Sequence, residues 1–403
     1  MRKVVIVKAV RTAIGSFGGT LKDFAASQLA STLIRHLVQS TEMDPNLVSE
    51  VILGQVYSAG CGMNPARIAA VSADLPHHIP ATTVNQVCGS GLKTIVNATE
   101  SIMLDESKVI LAGGMESMSQ TPFIVQGTRW GHKLGHLEMI DVILQDGLID
   151  AFHHYHMGVT AENIAQKYHI SRRDQDLFAC QSQQKYQRAV SQSAFQDEIV
   201  PLPVASNTTS INKVRESGGS EEVFDQDEHP RPDVTIESLS RLKPSFQPNG
   251  TVTPGNTSGL NDGASMVLMM TEQQARTLGL EIMAYVKGYA NIGLDPQYMG
   301  VGPLYAIQSL LAQAKLNLNQ IDVFELNEAF AAQSLAVINE LGVGPEKVNL
   351  NGGAIALGHP LAASGTRITT TLLHLMRKRD LRYGIASLCV GGGMGIAILF
   401  ERR

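Results

Sequence analysis

The chain has 403 residues, of which 44% are hydrophobic, 17% are charged and 5% are aromatic, and its formal net charge at pH 7 is −5. This length predicts two or three domains, and this apolar content excludes a disordered or collagen-like chain. An acidic chain without a dense Lys/Arg run is not expected to bind nucleic acid or an anionic membrane, so an anionic ligand would have to meet a local basic patch.

The four cysteines, Cys61, Cys88, Cys180 and Cys389, are too few and too scattered for a disulfide framework, and none has zinc-site spacing. We therefore expect reduced thiols and no metal site. The first residues run directly into a β-branched strand pattern, and no apolar stretch approaches the length of about 18 residues that a membrane span needs. These features predict a soluble protein of the cytoplasm.

Two regions of the chain repeat one order of elements. The first contains, in order, a strand, a glycine-containing segment, a helix and a strand that ends in glycines, at 51–53, 84–91, 92–103 and 109–115. The second contains the same elements at 323–326, 348–353, 361–376 and 385–394. Strands that alternate with helices indicate βαβ units. The sequence therefore predicts an α/β protein made of two similar domains.

The region between the repeats has a different composition, with polar, histidine-bearing loops, a helical pattern over 160–191 and a charged segment over 212–233. Ser171 and Asp174 have the spacing of a capping box that opens a helix. We predict an inserted loop domain here. The predicted domains are residues 1–118 with 250–271, the loop domain 119–249, and residues 272–403.

Cys88 is the first candidate for chemistry. The apolar residues that follow it recur at helical spacing, which places Cys88 at the amino end of a helix. Unpaired N–H groups and the helix dipole favour a thiolate there, and Gly89 and Gly91 let a ligand come close. A cysteine chosen at random is more often a small buried hydrophobe, but this context favours a nucleophile of lowered pKa.

His359 and Cys389 are the next candidates. His359 precedes a second helix, with Pro360 suited to its first turn, and a helix amino end favours a neutral imidazole. A lone loop histidine is more often structural, but its place in the second repeat matches that of Cys88 in the first. Cys389 closes a strand before three glycines whose N–H groups can form an oxyanion site, and a core cysteine is an equal alternative there.

Two polar segments each allow two interpretations. Asn327 follows a strand and precedes a helix, so it is either an N-cap or an amide that orients a water. The loop over 253–264 is rich in hydroxyl and amide side chains, which either bind a ligand or satisfy a turn.

Seven segments together resemble the thiolase family, and most closely its short-chain acetyl-CoA acetyltransferases. They cover essentially the whole chain in the family's order and lie at 85–91, 113–119, 155–158, 250–264, 327–330, 352–360 and 389–395. The resemblance implies two αβα domains stacked as five layers, αβαβα, with a loop domain over the active site.

The resemblance also implies catalytic roles. Cys88 matches the nucleophile that accepts the acyl group, His359 the residue that activates it, and Cys389 the thiol that moves the proton to and from the carbon nucleophile. Asn327 matches the residue whose bound water, with His359, stabilises the enolate oxygen. The N–H groups of Cys88 and Gly391 match a second oxyanion site.

Five further residues match substrate-binding positions. His156 and Ser258 match contacts to the pantetheine arm of coenzyme A, and Met157 and Met299 match side chains that limit the acyl pocket. Arg231 lies where a basic residue approaches the nucleotide end, although the alignment of this loop is loose.

The family likeness implies a reversible condensation of two acetyl-CoA into acetoacetyl-CoA and CoA through an acyl-cysteine, with no cofactor. The alternatives are a degradative 3-ketoacyl-CoA thiolase for longer chains and a non-catalytic acyl-CoA carrier. A ketoacyl synthase fits poorly, because that group resembles a Cys-His-His arrangement and Cys389 does not. Cys61 and Cys180 are assigned to structure.

A homodimer or homotetramer is also implied, with the segment 126–136 near the tetramer contact. The alternative interpretation is that the sole tryptophan of the chain, Trp130, packs within the loop domain. Three residues depart from the family pattern: Ala362 replaces a glycine near His359, where its methyl group can crowd the acyl pocket or shift the helix, and Pro254 and Thr257 stand where small residues are usual.

Overall fold

The computed structural model describes residues 2–205 and 221–403, so the part of the predicted charged segment at 212–220 lies outside the described residues. The strands are β1 Val4–Arg11, β2 Gly15–Ser16, β3 Glu50–Gly54, β4 Ala81–Val84, β5 Ile110–Ser117, β6 Phe123–Ile124, β7 Ile140–Asp141, β8 Leu202–Ala205, β9 Glu221–Phe224, β10 Asn261–Thr271, β11 Ala284–Gly293, β12 Val323–Leu326, β13 Tyr383–Val390 and β14 Met394–Glu401. The helices are α1 Ala26–Ser40, α2 Pro65–Ser72, α3 Ser90–Leu104, α4 Met157–Lys167, α5 Arg172–Ser191, α6 Ile236–Ser240, α7 Glu272–Thr277, α8 Gly302–Ala314, α9 Ala331–Leu341, α10 Ala354–Leu357 and α11 Leu361–Lys378.

The large sheet contains the predicted duplication. Its strand order is β12-β13-β14-β11-β1-β10-β5-β3-β4, with β2 paired to β10. Outward from the short β1–β11 pairing, each half has two antiparallel pairings followed by parallel ones, through β10, β5, β3 and β4 on one side and β14, β13 and β12 on the other. A parallel bridge from Phe324 to Val348 takes the place of the last strand in the second half. The two halves therefore share one topology.

Helices cover both faces of each half of the sheet. Successive residues of β10 point to opposite faces, so that Leu268 packs with α1 and α2 while Val267 packs with α3 and α11. The other half buries Leu399 against α8 and α9 and Ile398 against the central helices. The layers therefore run αβαβα, as the resemblance implies, with α3 and α11 in the middle. Because both faces are covered, all eleven residues of β10 are buried.

The two central helices touch backbone to backbone. A Cβ atom built on Gly91 would lie 2.7 Å from the amide nitrogen of Thr366, and one on Gly365 would lie 2.4 Å from that of Leu92. A larger residue at either position would push the helices apart. The contact is close to the amino end of each helix, so it brings the segment before α3 next to the segment before α11.

The inserted region is anchored to the core by buried charge. Arg11 in β1 is fully buried, with its Nε 2.6 Å from Glu198 Oε1 and its Nη1 2.6 Å from Asp227 Oδ1. The predicted helix over 160–191 is two helices, α4 and α5, because the chain turns between Lys167 and Ser171. The predicted capping box of Ser171 opens the second helix.

The exposed side of the inserted region contains Trp130, which is 90% exposed and therefore does not pack the loop domain. Cys180 is buried, with Sγ 3.6 Å from the carbonyl oxygen of Val234, and Cys61 is partly buried near Gln55. No helix among the described residues is long and apolar enough to cross a membrane. The domain boundaries at residues 118, 249 and 271 stay a prediction.

The contact between the central helices is tested by Gly91→Ala. The added methyl group would overlap the backbone of Thr366, so we expect the free energy of unfolding to fall by about 1–3 kcal/mol despite the better helix propensity of alanine. Urea unfolding followed by circular dichroism measures this. The control is Gly293→Ala, because the nearest atom to a Cβ there is 3.9 Å away. Equal stability of the two variants would contradict the proposed contact.

Candidate active site

A cavity of about 410 Å³ opens where the loops that precede α3 and α11 meet the inserted region. Its wall is mostly apolar. Eight of the ten site residues predicted from the sequence line it, and they are Cys88, His156, Met157, Ser258, Met299, His359, Cys389 and Gly391. Asn327 lies directly behind His359, and Arg231 lies outside the cavity.

A strained turn presents Cys88 to the cavity. Val87, directly before it, has a φ of +45°, which is costly for a β-branched residue. The turn is held by Asn85 Oδ1, which accepts from the Val87 amide at 2.9 Å, and by Ser90 Oγ, which accepts from the Gln86 amide at 2.8 Å. Helix α3 then begins at Ser90, so Cys88 lies at a helix amino end as predicted.

The predicted low pKa of Cys88 is wrong. Burial raises the pKa of this thiol to about 12, and the nearby charge of Glu116 raises it as well. The amide N–H groups of Cys88 and Gly391 donate to the sulfur and lower the pKa, but by less than burial raises it. Cys88 is therefore a neutral thiol at rest, and its attack requires a base.

His359 is neutral, as the sequence analysis predicted. The side chain is buried, and burial together with the positive charge of Arg367 lowers its pKa to about 3. Burial makes the larger contribution because an imidazolium loses its hydration there. A neutral imidazole can accept a proton from a thiol.

The hydrogen bonds around His359 define its tautomer. Ser364 Oγ donates to the carbonyl oxygen of Pro360 at 3.0 Å, so its short 2.6 Å contact with His359 Nδ1 must be donated by the ring. The proton is thus on Nδ1, and the lone pair of Nε2 faces Asn327 Nδ2 at 3.3 Å. Sequence reasoning missed Ser364, whose one signal was a hydroxyl five residues after the histidine.

Asn327 is fully buried at the end of β12. Helix α9 begins four residues later, at Ala331 with Phe330 as its N-cap, so the N-cap interpretation of Asn327 is wrong. Its Oδ1 has no hydrogen-bond partner among the described protein groups. A buried amide oxygen of this kind requires a partner, and a water supplies one.

Cys389 lies near the end of β13 and is 1% exposed. Burial raises its pKa, and Cys88, which lines the same cavity, raises it further. Gly391 follows, and then Gly392 and Gly393 have φ values of +82° and +84°, which let the chain turn into β14. Both thiols and Gly391 therefore line the same cavity.

The covering side of the cavity is built on α4. His156 is its N-cap, and its Nδ1 accepts from the amide of Gly158 at 3.0 Å, which leaves Nε2–H free to donate. Its ring stacks on Phe246 with centroids 4.6 Å apart. Burial lowers the pKa of His156. Met157 and Met299 pack beside Cys389 in one apolar cluster.

Arg231 is exposed on the outer side of the cavity wall, with its amide bound to Gln183 Oε1 at 2.9 Å. Its charge, together with burial, lowers the pKa of His229 to about 4. The His229 ring packs against Gly259, a lining residue. Arg231 is thus near the cavity but does not contact it.

The three residues that depart from the family pattern lie in different parts of the structure. Ala362 is fully buried and packs with Tyr57 and Met118 behind the wall, where Leu361 is the lining residue. Thr257 lines the cavity, whereas Pro254 is exposed. Sequence reasoning missed several apolar lining residues because they lie in loops or in and beside the five-residue π-helix Leu144–Leu148, which are too short or irregular for periodicity to mark them: Phe17, Ile143, Leu144, Leu148, Phe246 and Leu260.

Within residues 2–205 and 221–403 there is no group of three or more His, Cys, Asp or Glu side chains placed to hold a metal ion. The polar groups of the cavity are the two thiols, the imidazoles of His156 and His359, the hydroxyls of Thr257 and Ser258, the carboxyl of Asp141 and backbone amides. They can exchange protons and bind an oxyanion.

The protonation state of Cys88 is tested by alkylation. With a pKa of about 12, the thiolate fraction rises tenfold per pH unit, so the logarithm of the iodoacetamide rate constant should rise with a slope near one from about pH 7 to 10. Mass spectrometry of the Cys88 peptide measures it, with Cys88→Ser as the blank. A rate that levels off below pH 8 would mean a low pKa and contradict the burial argument.

The chain is similar to known proteins over its whole length. Residues 4–273 match the family model "Thiolase, N-terminal domain" and residues 280–402 match "Thiolase, C-terminal domain". A Staphylococcus aureus protein named "Probable acetyl-CoA acyltransferase" is 50% identical over 402 residues, covering 100% of both chains. The crystal structure of the Bacillus anthracis acetyl-CoA acetyltransferase has a TM-score of 0.94 at 42% identity, covering 100% of this chain and 99% of that one. Human mitochondrial 3-ketoacyl-CoA thiolase in complex with CoA has a TM-score of 0.93 at 40% identity, covering 100% of this chain and 98% of that one. The chain therefore belongs to the thiolase family and is an acyltransferase.

Proposed function

We propose that this acyltransferase is an acetyl-CoA C-acetyltransferase, which condenses two acetyl-CoA into acetoacetyl-CoA and CoA and also runs the reverse cleavage. The observation that carries the proposal is the convergence of Cys88, His359 and Cys389 on one cavity, with two amide N–H groups on the Cys88 sulfur. The names of the Staphylococcus and Bacillus relatives support an acetyl substrate.

In the first half of the proposed reaction, Nε2 of His359 accepts the Cys88 proton and the sulfur attacks the thioester carbonyl. The N–H groups of Cys88 and Gly391 hold the oxyanion that forms. The leaving CoA thiolate takes its proton from Cys389. The products are acetyl-Cys88, free CoA, a Cys389 thiolate and a His359 imidazolium, and these last two charges stabilise each other in the buried cavity.

In the second half, the Cys389 thiolate removes the α-proton of a second acetyl-CoA. The enolate oxygen is stabilised by His359 Nε2–H and by a water on Asn327, whose Oδ1 is otherwise unpaired among the described residues. The enolate then attacks acetyl-Cys88. The Cys88 thiolate released with acetoacetyl-CoA recovers its proton from His359, so both thiols and the imidazole return to their neutral forms. No step needs a cofactor.

His156, Ser258, Met157 and Met299 line the rest of the cavity, and we assign them to the pantetheine arm and the acyl group. The His156 Nε2–H is available as a donor to an amide oxygen of that arm. The contact of Arg231 with the nucleotide end stays a prediction, as does the cytoplasmic location.

We also propose that the enzyme is a homodimer or homotetramer. Trp130 and Leu134 of the 126–136 segment are 90% and 93% exposed, which is unusual for large apolar side chains. Strand β4 is at the edge of the sheet, with backbone groups free to pair with another copy.

A second candidate is a 3-ketoacyl-CoA thiolase for longer chains. Ile143, Leu144 and Leu148 add an apolar extension to the cavity, and the human 3-ketoacyl-CoA thiolase has the same fold. A non-catalytic acyl carrier is disfavoured because binding alone needs neither of the two thiols that line the cavity.

Cysteine variants separate the two half-reactions. Cys88→Ser should take up no acetyl group from acetyl-CoA, whereas Cys389→Ser should still be acetylated at Cys88 but lose condensation by about a hundredfold or more, because its hydroxyl is a poor general base. Intact-protein mass spectrometry and the appearance of acetoacetyl-CoA measure these. Wild-type protein that takes up no acetyl group would favour the carrier.

The acyl-chain range is tested by cutting back the two methionines. Met157→Ala and Met299→Ala should raise kcat/KM for six- and eight-carbon 3-ketoacyl-CoA relative to acetoacetyl-CoA by about tenfold, since each adds room for a methylene or more. Thiolysis rates across chain lengths measure this. Met139→Ala, which changes an exposed side chain, is the control. A wild-type enzyme equally fast on long chains would favour the second candidate instead.

A further inference from the structure

A buried arginine and glutamate form a couple behind the cavity. Arg367 in α11 and Glu325 in β12 are 1% and 0% exposed, and the nearest nitrogen and oxygen are 3.9 Å apart. That distance is too long for a hydrogen bond. All three guanidinium nitrogens and both carboxyl oxygens are without a partner among the described protein groups. Buried polar atoms of this kind are costly unless they are hydrogen bonded.

The neighbouring charged residues Arg11 and Glu328 already have other hydrogen-bond partners. Arg11 forms ion pairs with Glu198 and Asp227 at 2.6 Å each. Glu328 accepts hydrogen bonds from three groups, the shortest at 2.7 Å. Of these charged groups, Arg367 and Glu325 therefore have only each other as partners. The 3.9 Å gap between them suits polar groups that share ordered water.

The couple joins the two segments that hold the oxyanion residues. Glu325 is on the strand that leads to Asn327, two residues later. Arg367 is on the helix that follows His359, one turn beyond Ser364, the residue that holds the imidazole. Any change in the distance between this strand and this helix alters the 3.3 Å contact between Asn327 Nδ2 and His359 Nε2.

The couple also sets the charge near the imidazole. Burial raises the pKa of Glu325, and the charge of Arg367 lowers it by less. The titratable groups that line the cavity with His359 are Cys88, Cys389, His156 and Asp141. The two thiols are neutral because burial raises their pKa values, and burial lowers the pKa of His156. Arg367 is thus the charged group that lowers the pKa of His359, in addition to burial.

We propose that the arginine–glutamate couple, joined through ordered water, is a positioning device for the oxyanion residues: it sets the distance between Asn327 and His359. Neither member lines the cavity, so both act through Asn327 and His359. The proposal rests on the proposed function, in which these two residues stabilise the enolate.

The first test compares Arg367→Met with Arg367→Lys. Loss of the guanidinium should lower kcat for thiolysis of acetoacetyl-CoA about 10- to 100-fold, with KM for CoA changed less than about twofold, because the reacting groups are displaced but binding is not. It should also move the acid limb of kcat/KM to higher pH by about one unit, since removing a positive charge raises the pKa of His359. Lysine should recover most of both changes.

The matched control is Thr371→Val, one turn further along α11, where the hydroxyl binds Glu198 at 3.1 Å. It removes a buried hydrogen bond on the same helix, and it should leave kcat and the acid limb unchanged. A loss in this control equal to that in Arg367→Met would overturn the proposal, because any disturbance of the helix would then have the same effect.

A double variant keeps the proposal testable if Arg367→Met folds poorly. Arg367→Met with Glu325→Leu replaces both polar groups by apolar ones, an exchange that buried ion pairs often tolerate. It should fold, take up an acetyl group on Cys88 and show the same loss of kcat. Wild-type kcat and pH profile in this variant would overturn the positioning role, and a crystal structure with a direct Arg367–Glu325 hydrogen bond would overturn the water link. Absence of acetylation in the wild-type enzyme would instead refute the proposed function.

Discussion

The close approach of the two central helices is the constraint on which the rest of the structure depends. Because Gly91 and Gly365 have no side chains, the backbones of α3 and α11 meet near their amino ends. Cys88 precedes one helix and His359 precedes the other, so this contact delivers both to the same cavity. Cys389 arrives from the neighbouring strand β13, which packs on the same central layer. The layered core thus brings together residues that are far apart in sequence.

Burial then determines the chemistry available at this point. It acts in opposite directions on the two kinds of group, raising the pKa of Cys88 to about 12 and lowering that of His359 to about 3. Both are neutral at rest, and a proton transfer between them creates two charges in a medium that solvates neither. In the proposed reaction, the amides of Cys88, Gly391 and Asn327 stabilise these charges, because they are fixed dipoles that need no reorganisation.

The buried Arg11 pairs and the buried Arg367–Glu325 couple differ in their hydrogen bonding. The Arg11 pairs with Glu198 and Asp227 are short and hydrogen bonded, and they fasten the inserted region to the first strand. The couple of Arg367 and Glu325 is long and has no direct hydrogen bonds. An ion pair with direct hydrogen bonds holds two segments together firmly. A buried pair without them lowers the stability of the fold, so stability does not explain why the chain retains it.

The sequence by itself determined the duplicated α/β fold, the residues at each helix amino end and the identity of both thiols, because periodicity, glycines and local motifs are properties of neighbouring residues. Only the tertiary structure decided the ionisation of Cys88, the tautomer of His359 through Ser364, and the apolar lining from short segments such as 143–148. These properties depend on desolvation and on contacts between residues distant in the chain, and no local pattern encodes either one. For the same reason, nothing near Arg367 in the sequence pointed to Glu325.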